Sequence, residues 1–150
     1  MILIDALGAA LRGSVTAYVL VNAAHILGIA LLIGAILPLD LRLAGAFRGV
    51  PLAAVVPFLR GVAALGLALA AVTGVMLVSV NLPGYLGNGA FRVKLALLCV
   101  ALANLIWLQA SGAMRRAAEG EVTGALRFGA KASALLWLGV LLAGRWIGFV

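Results

Sequence analysis

Charge is scarce in this sequence. Only 10% of its 150 residues are charged, and four of them are acidic. Soluble domains carry about 25% charged and about 45–50% apolar residues. Here 66% are hydrophobic and the mean hydropathy is +1.26. A water-soluble fold of this length cannot hide that much apolar surface, so the bilayer is the expected solvent. One cysteine and one histidine exclude an internal disulfide, a CxxC centre and the usual zinc spacings. There is no Gly-rich phosphate loop. No constellation of Ser, His and Asp, or of Cys and His, lies close enough in the chain to suggest covalent catalysis. Non-enzymatic function is the expectation. A proton-coupled transporter needs acids within its spans, and none is visible in the apolar runs.

What is present is length without charge. A span needs about 20 mainly apolar residues, because a helix rises about 1.5 Å per residue across about 30 Å of hydrocarbon. Four segments qualify, at about 16–38, 61–80, 91–110 and 132–150. Lipid offers no partners for backbone N–H and C=O groups, so these must be helices. The expected fold is an all-α four-helix transmembrane bundle in one domain, 1–150, with a short interfacial helix at 2–12. That first stretch carries Asp5 and Arg12 and lacks a basic start before an apolar core, so no cleaved leader is expected. Pro38 is expected to end the first span, Pro57 to kink the entry to the second, and Asn81-Leu82-Pro83-Gly84 to form a turn.

The net charge of +7 could suggest nucleic acid. The basic residues instead cluster at span ends, as the positive-inside bias requires, and no nucleic-acid partner is expected. Arg42, Arg48, Arg60, Arg115, Arg116, Arg127 and Lys131 lie on one side of a four-span topology. Arg12, Arg92, Lys94 and Arg145 lie on the other. Seven against four of the eleven basic residues places the first and third connectors in the cytoplasm and both termini in the periplasm.

Polar side chains at membrane depth are costly and so mark candidate sites. Tyr18, Asn22 and His25 are spaced i, i+4, i+7, on one helix face. With Lys94, Asn104 and Arg145 they form a candidate polar site between spans one, three and four. His25 is expected to hydrogen-bond a neighbouring helix, with Asn104 a natural partner. Alternatively it is a haem b or copper ligand, with Met76 or a second copy of the chain supplying another ligand. Arg145 snorkels beside the interfacial Trp146, or together with Lys94 serves a lipid head group, a quinone or another anion. Asp40 is expected to form a cytoplasmic ion pair with Arg42, with Arg48 and Arg60 as alternative partners. Cys99 reads as a small packing residue. Gly144 and Gly148 form a GxxxG pair suited to close helix packing or a homodimer. Thr73 and Ser79 are expected to bond their own helix.

The run Val21-Asn22-Ala23-Ala24-His25-Ile26-Leu27-Gly28, with Gly34 and Asp40-Leu41-Arg42-Leu43-Ala44-Gly45, resembles the DUF6644 family of uncharacterised bacterial membrane proteins. Phe91-Arg92-Val93-Lys94, Asn104 and Gly144-Arg145-Trp146-Ile147-Gly148-Phe149 extend the resemblance along nearly the whole chain. It implies a four-helix protein of the bacterial inner membrane without an established activity. More loosely, the chain is similar to CopD-type membrane domains. It departs from them in having no further histidine and no Met- or Cys-rich pattern. Three functions follow as expectations: an accessory subunit packing against a membrane partner, a His25 redox or metal protein, and a small transporter or lipid-binding protein.

Overall fold

The computed structural model of the chain describes residues 2–149, with side chains from residue 4 onward. The described residues form helices α1 (Ile2–Arg12), α2 (Val15–Ala44), α3 (Leu52–Ser79) and α4 (Leu82–Gly87). They continue in α5 (Gly89–Ala110), α6 (Ala113–Ala118), α7 (Gly124–Trp146) and a closing 3-10 turn at Ile147–Phe149. Helices α2, α3, α5 and α7 are long and apolar enough to cross a membrane. The chain is an all-α integral membrane bundle, with the interfacial helix at its start.

The helix ends differ from the sequence expectation for local reasons. Pro38 lies inside α2, not at its end. An interior proline leaves the carbonyl four residues earlier unbonded and presses its ring against it. That residue is Gly34, exposed and with open space where a Cβ would stand. The helix nonetheless continues to Gly45, whose φ of 114° lets its N–H and that of Ala46 close onto Arg42 and Leu41. Pro57 is likewise inside α3, which starts at Leu52 instead of residue 61. Helix α7 starts at Gly124, ahead of residue 132, because the Thr123 side chain accepts from Leu126 N–H. Asn81 and Asn88 cap α4 and α5 in the same way, so the expected turn holds one short helix. Val150, the expected last residue of the fourth span, lies outside the described residues.

Small residues set which helices touch. In lipid, apolar burial does not drive helices together, so close packing must. Gly28 on α2 faces the backbone of Ala70, and Gly66 on α3 faces the backbone of Leu32. This pair gives α2 and α3 the most extensive contact in the bundle. Helix α7 packs on α5 at Gly129, Gly139 and Gly144, which receive Leu108, Leu97 and Lys94. Helices α2 and α7 also meet closely. The resulting order around the bundle is α3, α2, α7, α5. The seam between α3 and α5 is not among these close backbone approaches.

At the end of the bundle that carries the chain termini, α1 lies over the last turn of α3. Leu11 is buried there, Gly8 meets the Ser79 carbonyl, and Arg12 donates to the Val80 carbonyl at 2.7 Å. A cation on the free carbonyls of a helix C-terminus satisfies an acceptor and opposes the helix dipole. At the opposite, arginine-rich end, Leu39, Leu43, Val56, Met114, Leu126 and Ala130 close the core under α6. Between the ends lies a second cluster around Trp137, Ile36 and Ala101.

Candidate functional site: a polar cleft in the seam

The expected stripe on α2 is only partly turned inward. Tyr18 and Asn22 are exposed, while His25 is half-buried. His25 does not meet Asn104. Its Nδ1 lies 3.1 Å from Thr73 Oγ1 on α3, because α3, not α5, is the close neighbour of this part of α2. Thr73 donates its own hydroxyl proton to the Leu69 carbonyl at 2.6 Å. Its oxygen therefore accepts, so His25 carries its proton on Nδ1, which in the neutral ring leaves the lone pair on Nε2. Asn104 instead donates to the Gly129 carbonyl on α7 at 3.1 Å. Thr73 and Ser79 bond carbonyls of their own helix, as expected.

Lys94 lies along Gly144, its Nζ 3.4 Å from where a Cβ would stand. Arg145 points outward with its guanidinium 4.7 Å over the Phe149 ring, beside exposed Trp146. No hydrogen bond joins His25, Lys94, Asn104 and Arg145 to one another among the described residues, so the structure does not gather the expected polar site. Gly148 falls in the 3-10 turn beyond α7, so the GxxxG pair is not one helical face. Cys99 is exposed, not packed inside. Met76 sits half-buried three residues along from Thr73. Outside the spans, the Tyr85 ring on α4 packs against Phe91 at a tilt of 52°, and burial, with Tyr18 nearby, pushes its phenol above the usual tyrosine range.

The pronounced anomaly is Asp40. Because α2 runs through Pro38, Asp40 stands on a helix within the bundle and is only 2% exposed. The expected ion pair with Arg42 is absent: residues i and i+2 point to different helix faces. Arg42 faces out and donates to the carbonyls of Val50 (2.8 Å) and Arg48 (3.3 Å). Asp40 faces α7, where the Ser133 hydroxyl, itself buried, is its side-chain partner. Its second oxygen, Oδ2, has no hydrogen-bond partner. An acid inside the membrane bundle, which the sequence did not reveal, is therefore present.

Asp40 lines a cavity of about 100 Å³ in the α3–α5 seam. The walls are apolar, with Leu32, Ile36, Leu67, Leu105 and Met114 among them. Four polar side chains converge on it: Asp40, Ser133, Arg60 and Gln109. Arg60 reaches across the seam, and one terminal nitrogen donates to Gln109 Oε1. Its Nε–H is buried without a partner. No ion pair joins Arg60 to Asp40 among the described residues, although both line the cavity. Ala64 and Gln109 are exposed and line it too, so the cavity opens at the seam instead of being sealed. Behind it, Trp137 is 1% exposed with its indole N–H unpaired. Buried donors and acceptors without partners cost about 1–3 kcal/mol each. A stable bundle that keeps two of them on one cavity has a place for a polar guest.

The fold and cleft define a class: a four-span helical membrane protein with a laterally open, polar-floored cavity. Comparison with protein families, with curated proteins and with solved structures finds no match.

Proposed function

We propose that the chain is a non-enzymatic accessory protein of the bacterial inner membrane that holds one small amphiphile in the α3–α5 seam. The observation that carries this is the fully buried Asp40, with an unpaired Oδ2, which lines one cavity with Arg60, whose Nε–H is also unpaired. An unsatisfied acceptor and an unsatisfied donor on two residues of one cavity suit a hydroxyl head group, which would donate to Asp40 and accept from Arg60. The apolar walls and the open seam suit a hydrocarbon tail. The likeness to the DUF6644 proteins agrees with a small multi-span protein and names no activity. The basic bias of the connectors supports an orientation with the arginine-rich end in the cytoplasm and both termini in the periplasm. Reporter fusions at residue 150 and in the loop between α5 and α6 test that orientation.

The binding test uses purified protein in mild detergent with 1-monooleoylglycerol, which has hydroxyls, and methyl oleate, which has none. A guest at about 100 times its Kd stabilises by about 2.7 kcal/mol, a clear rise in melting temperature. The expected result is a rise with monooleoylglycerol only, lost in Asp40→Leu and Arg60→Leu. Equal shifts in wild type and both variants contradict the proposal.

A second reading rests on the hydrogen bond that holds His25 through Nδ1 and leaves Nε2 as the ligating nitrogen. His25 would be one ligand of a haem b, with Met76 or a second copy of the chain as the other, and the haem would supply one-electron chemistry. An absorption band near that of haem, lost in His25→Ala, supports this reading. A colourless, metal-free protein purified from haem-supplemented cells ends it.

A further inference from the structure

At the arginine-rich end, three guanidinium groups converge without an acid among them. Arg42, Arg48 and Arg127 line an open pocket of about 320 Å³, floored by Leu43, Leu52 and Val122. Two of the three are held in place by backbone. Arg42 donates through Nε and one terminal nitrogen to the carbonyls of Val50 and Arg48. Arg48 donates through Nε to the Gly45 carbonyl at 3.1 Å, which leaves both of its terminal nitrogens free. Gly45, in the left-handed region at φ 114°, turns the chain so that the two arginines face one space. Arg127 comes from the first turn of α7; its backbone N–H bonds the Thr123 carbonyl, while its guanidinium makes no hydrogen bond within the described chain. Asp40, two residues before Arg42, is buried and does not line this pocket, and Glu119 and Glu121, which flank the lining residue Gly120, are exposed. Neither glutamate pairs with any of the three arginines among the described residues.

Like charges drawn together at a membrane interface, and braced by carbonyls, repel one another unless an anion sits between them. Guanidinium forks match the paired oxygens of a phosphate. Basic pockets between spans, at the level where the helices leave the hydrocarbon, suit lipid phosphates. We infer that this pocket is a binding site for a phosphate group carrying net negative charge, with anionic phospholipid as its source. Both mouth and floor fit that source: charged donors at the rim, leucines and a valine beneath for the first carbons of the chains. The site is independent of the Asp40 cleft.

The experiment is native mass spectrometry of the full chain with dioleoylphosphatidylglycerol, with dioleoylphosphatidylcholine, and with inorganic phosphate. Arg127→Gln is the informative variant, since Arg127 braces nothing in the fold. Arg115→Gln removes the same charge from the exposed face of α6 outside the pocket. The expected result is retention of phosphatidylglycerol over phosphatidylcholine, weakened about fivefold by Arg127→Gln and unchanged by Arg115→Gln. Inorganic phosphate that binds as tightly and competes, with the same dependence on Arg127, keeps the phosphate site but overturns the lipid source. Equal retention of both lipids, or equal effects of the two substitutions, overturns the site. Arg42→Lys, which keeps a donor for the Val50 carbonyl while losing the fork, provides a second variant and is expected to weaken retention similarly.

Discussion

Gly28→Ala tests the packing that places every group described above. A Cβ on Gly28 would stand 2.6 Å from the Ala70 backbone nitrogen and 3.0 Å from the Gly66 carbonyl oxygen. Ordinary carbon contacts lie near 3.5–4.0 Å, so α2 and α3 must separate by roughly 1 Å at this crossing. No side-chain rotation relieves the clash, because the opposing atoms are backbone. Overpacking of this kind costs about 1–3 kcal/mol. Separation also stretches the 3.1 Å bond from His25 to Thr73 one turn away, a contact of about 0.6 kcal/mol between membrane helices. Against this, replacing glycine by alanine inside a helix gains up to about 1 kcal/mol. The net expectation is a loss of about 1–2 kcal/mol. Gly61→Ala on α3 is the matched control: it is exposed, with open space where its Cβ would stand. It keeps only the helix gain and should stabilise by up to about 1 kcal/mol. Reversible unfolding in mixed micelles of rising SDS fraction reads both. If the two substitutions shift the midpoint in the same direction by similar amounts, α2 and α3 do not cross at Gly28, and the arrangement of the bundle is wrong.

Asp40→Leu removes a buried, half-satisfied carboxyl from an apolar cavity with room for the larger side chain. It should raise stability by about 1–3 kcal/mol in the same assay while abolishing guest binding; a fall in stability would mean that the carboxyl has partners the structure lacks. Arg12→Gln frees the Val80 carbonyl and weakens the hold of α1 on α3. It should cost about 0.5–1.5 kcal/mol and speed amide exchange through α1, measured by mass spectrometry. Thr73→Val leaves His25 without its acceptor and should cost about 0.6–1.7 kcal/mol; an unchanged unfolding midpoint contradicts the assigned bond.

Hydropathy alone made the four spans and the interfacial first helix legible, because lipid constrains length and backbone bonding more strictly than water does. It misplaced their ends where charges ride on helices. Arg127 and Lys131 lie on α7, and Asp40 and Arg42 on α2, although each looked like a connector residue. Proline is a stop signal, yet α2 runs through Pro38 and carries Asp40 and Arg42 with it. The polar residues were visible and their partners were not. Partners depend on the order of helices around the bundle, which here is set by Gly28 against Gly66 and leaves His25 facing Thr73. Nothing local announces that Ser133 will face Asp40, or that Arg60 will span the seam to Gln109. Trp137, buried with a free N–H, likewise resembles the exposed Trp107 and Trp146 in its local sequence.

The central claim is that the seam between α3 and α5 holds one hydroxyl-bearing amphiphile on Asp40 and Arg60. Native mass spectrometry of the protein released from bilayer nanodiscs, followed by identification of whatever remains bound, tests it most directly. One neutral amphiphile per wild-type chain, absent from Asp40→Leu released under the same conditions, is the predicted result. The same adduct on both proteins, or none on either, would contradict it.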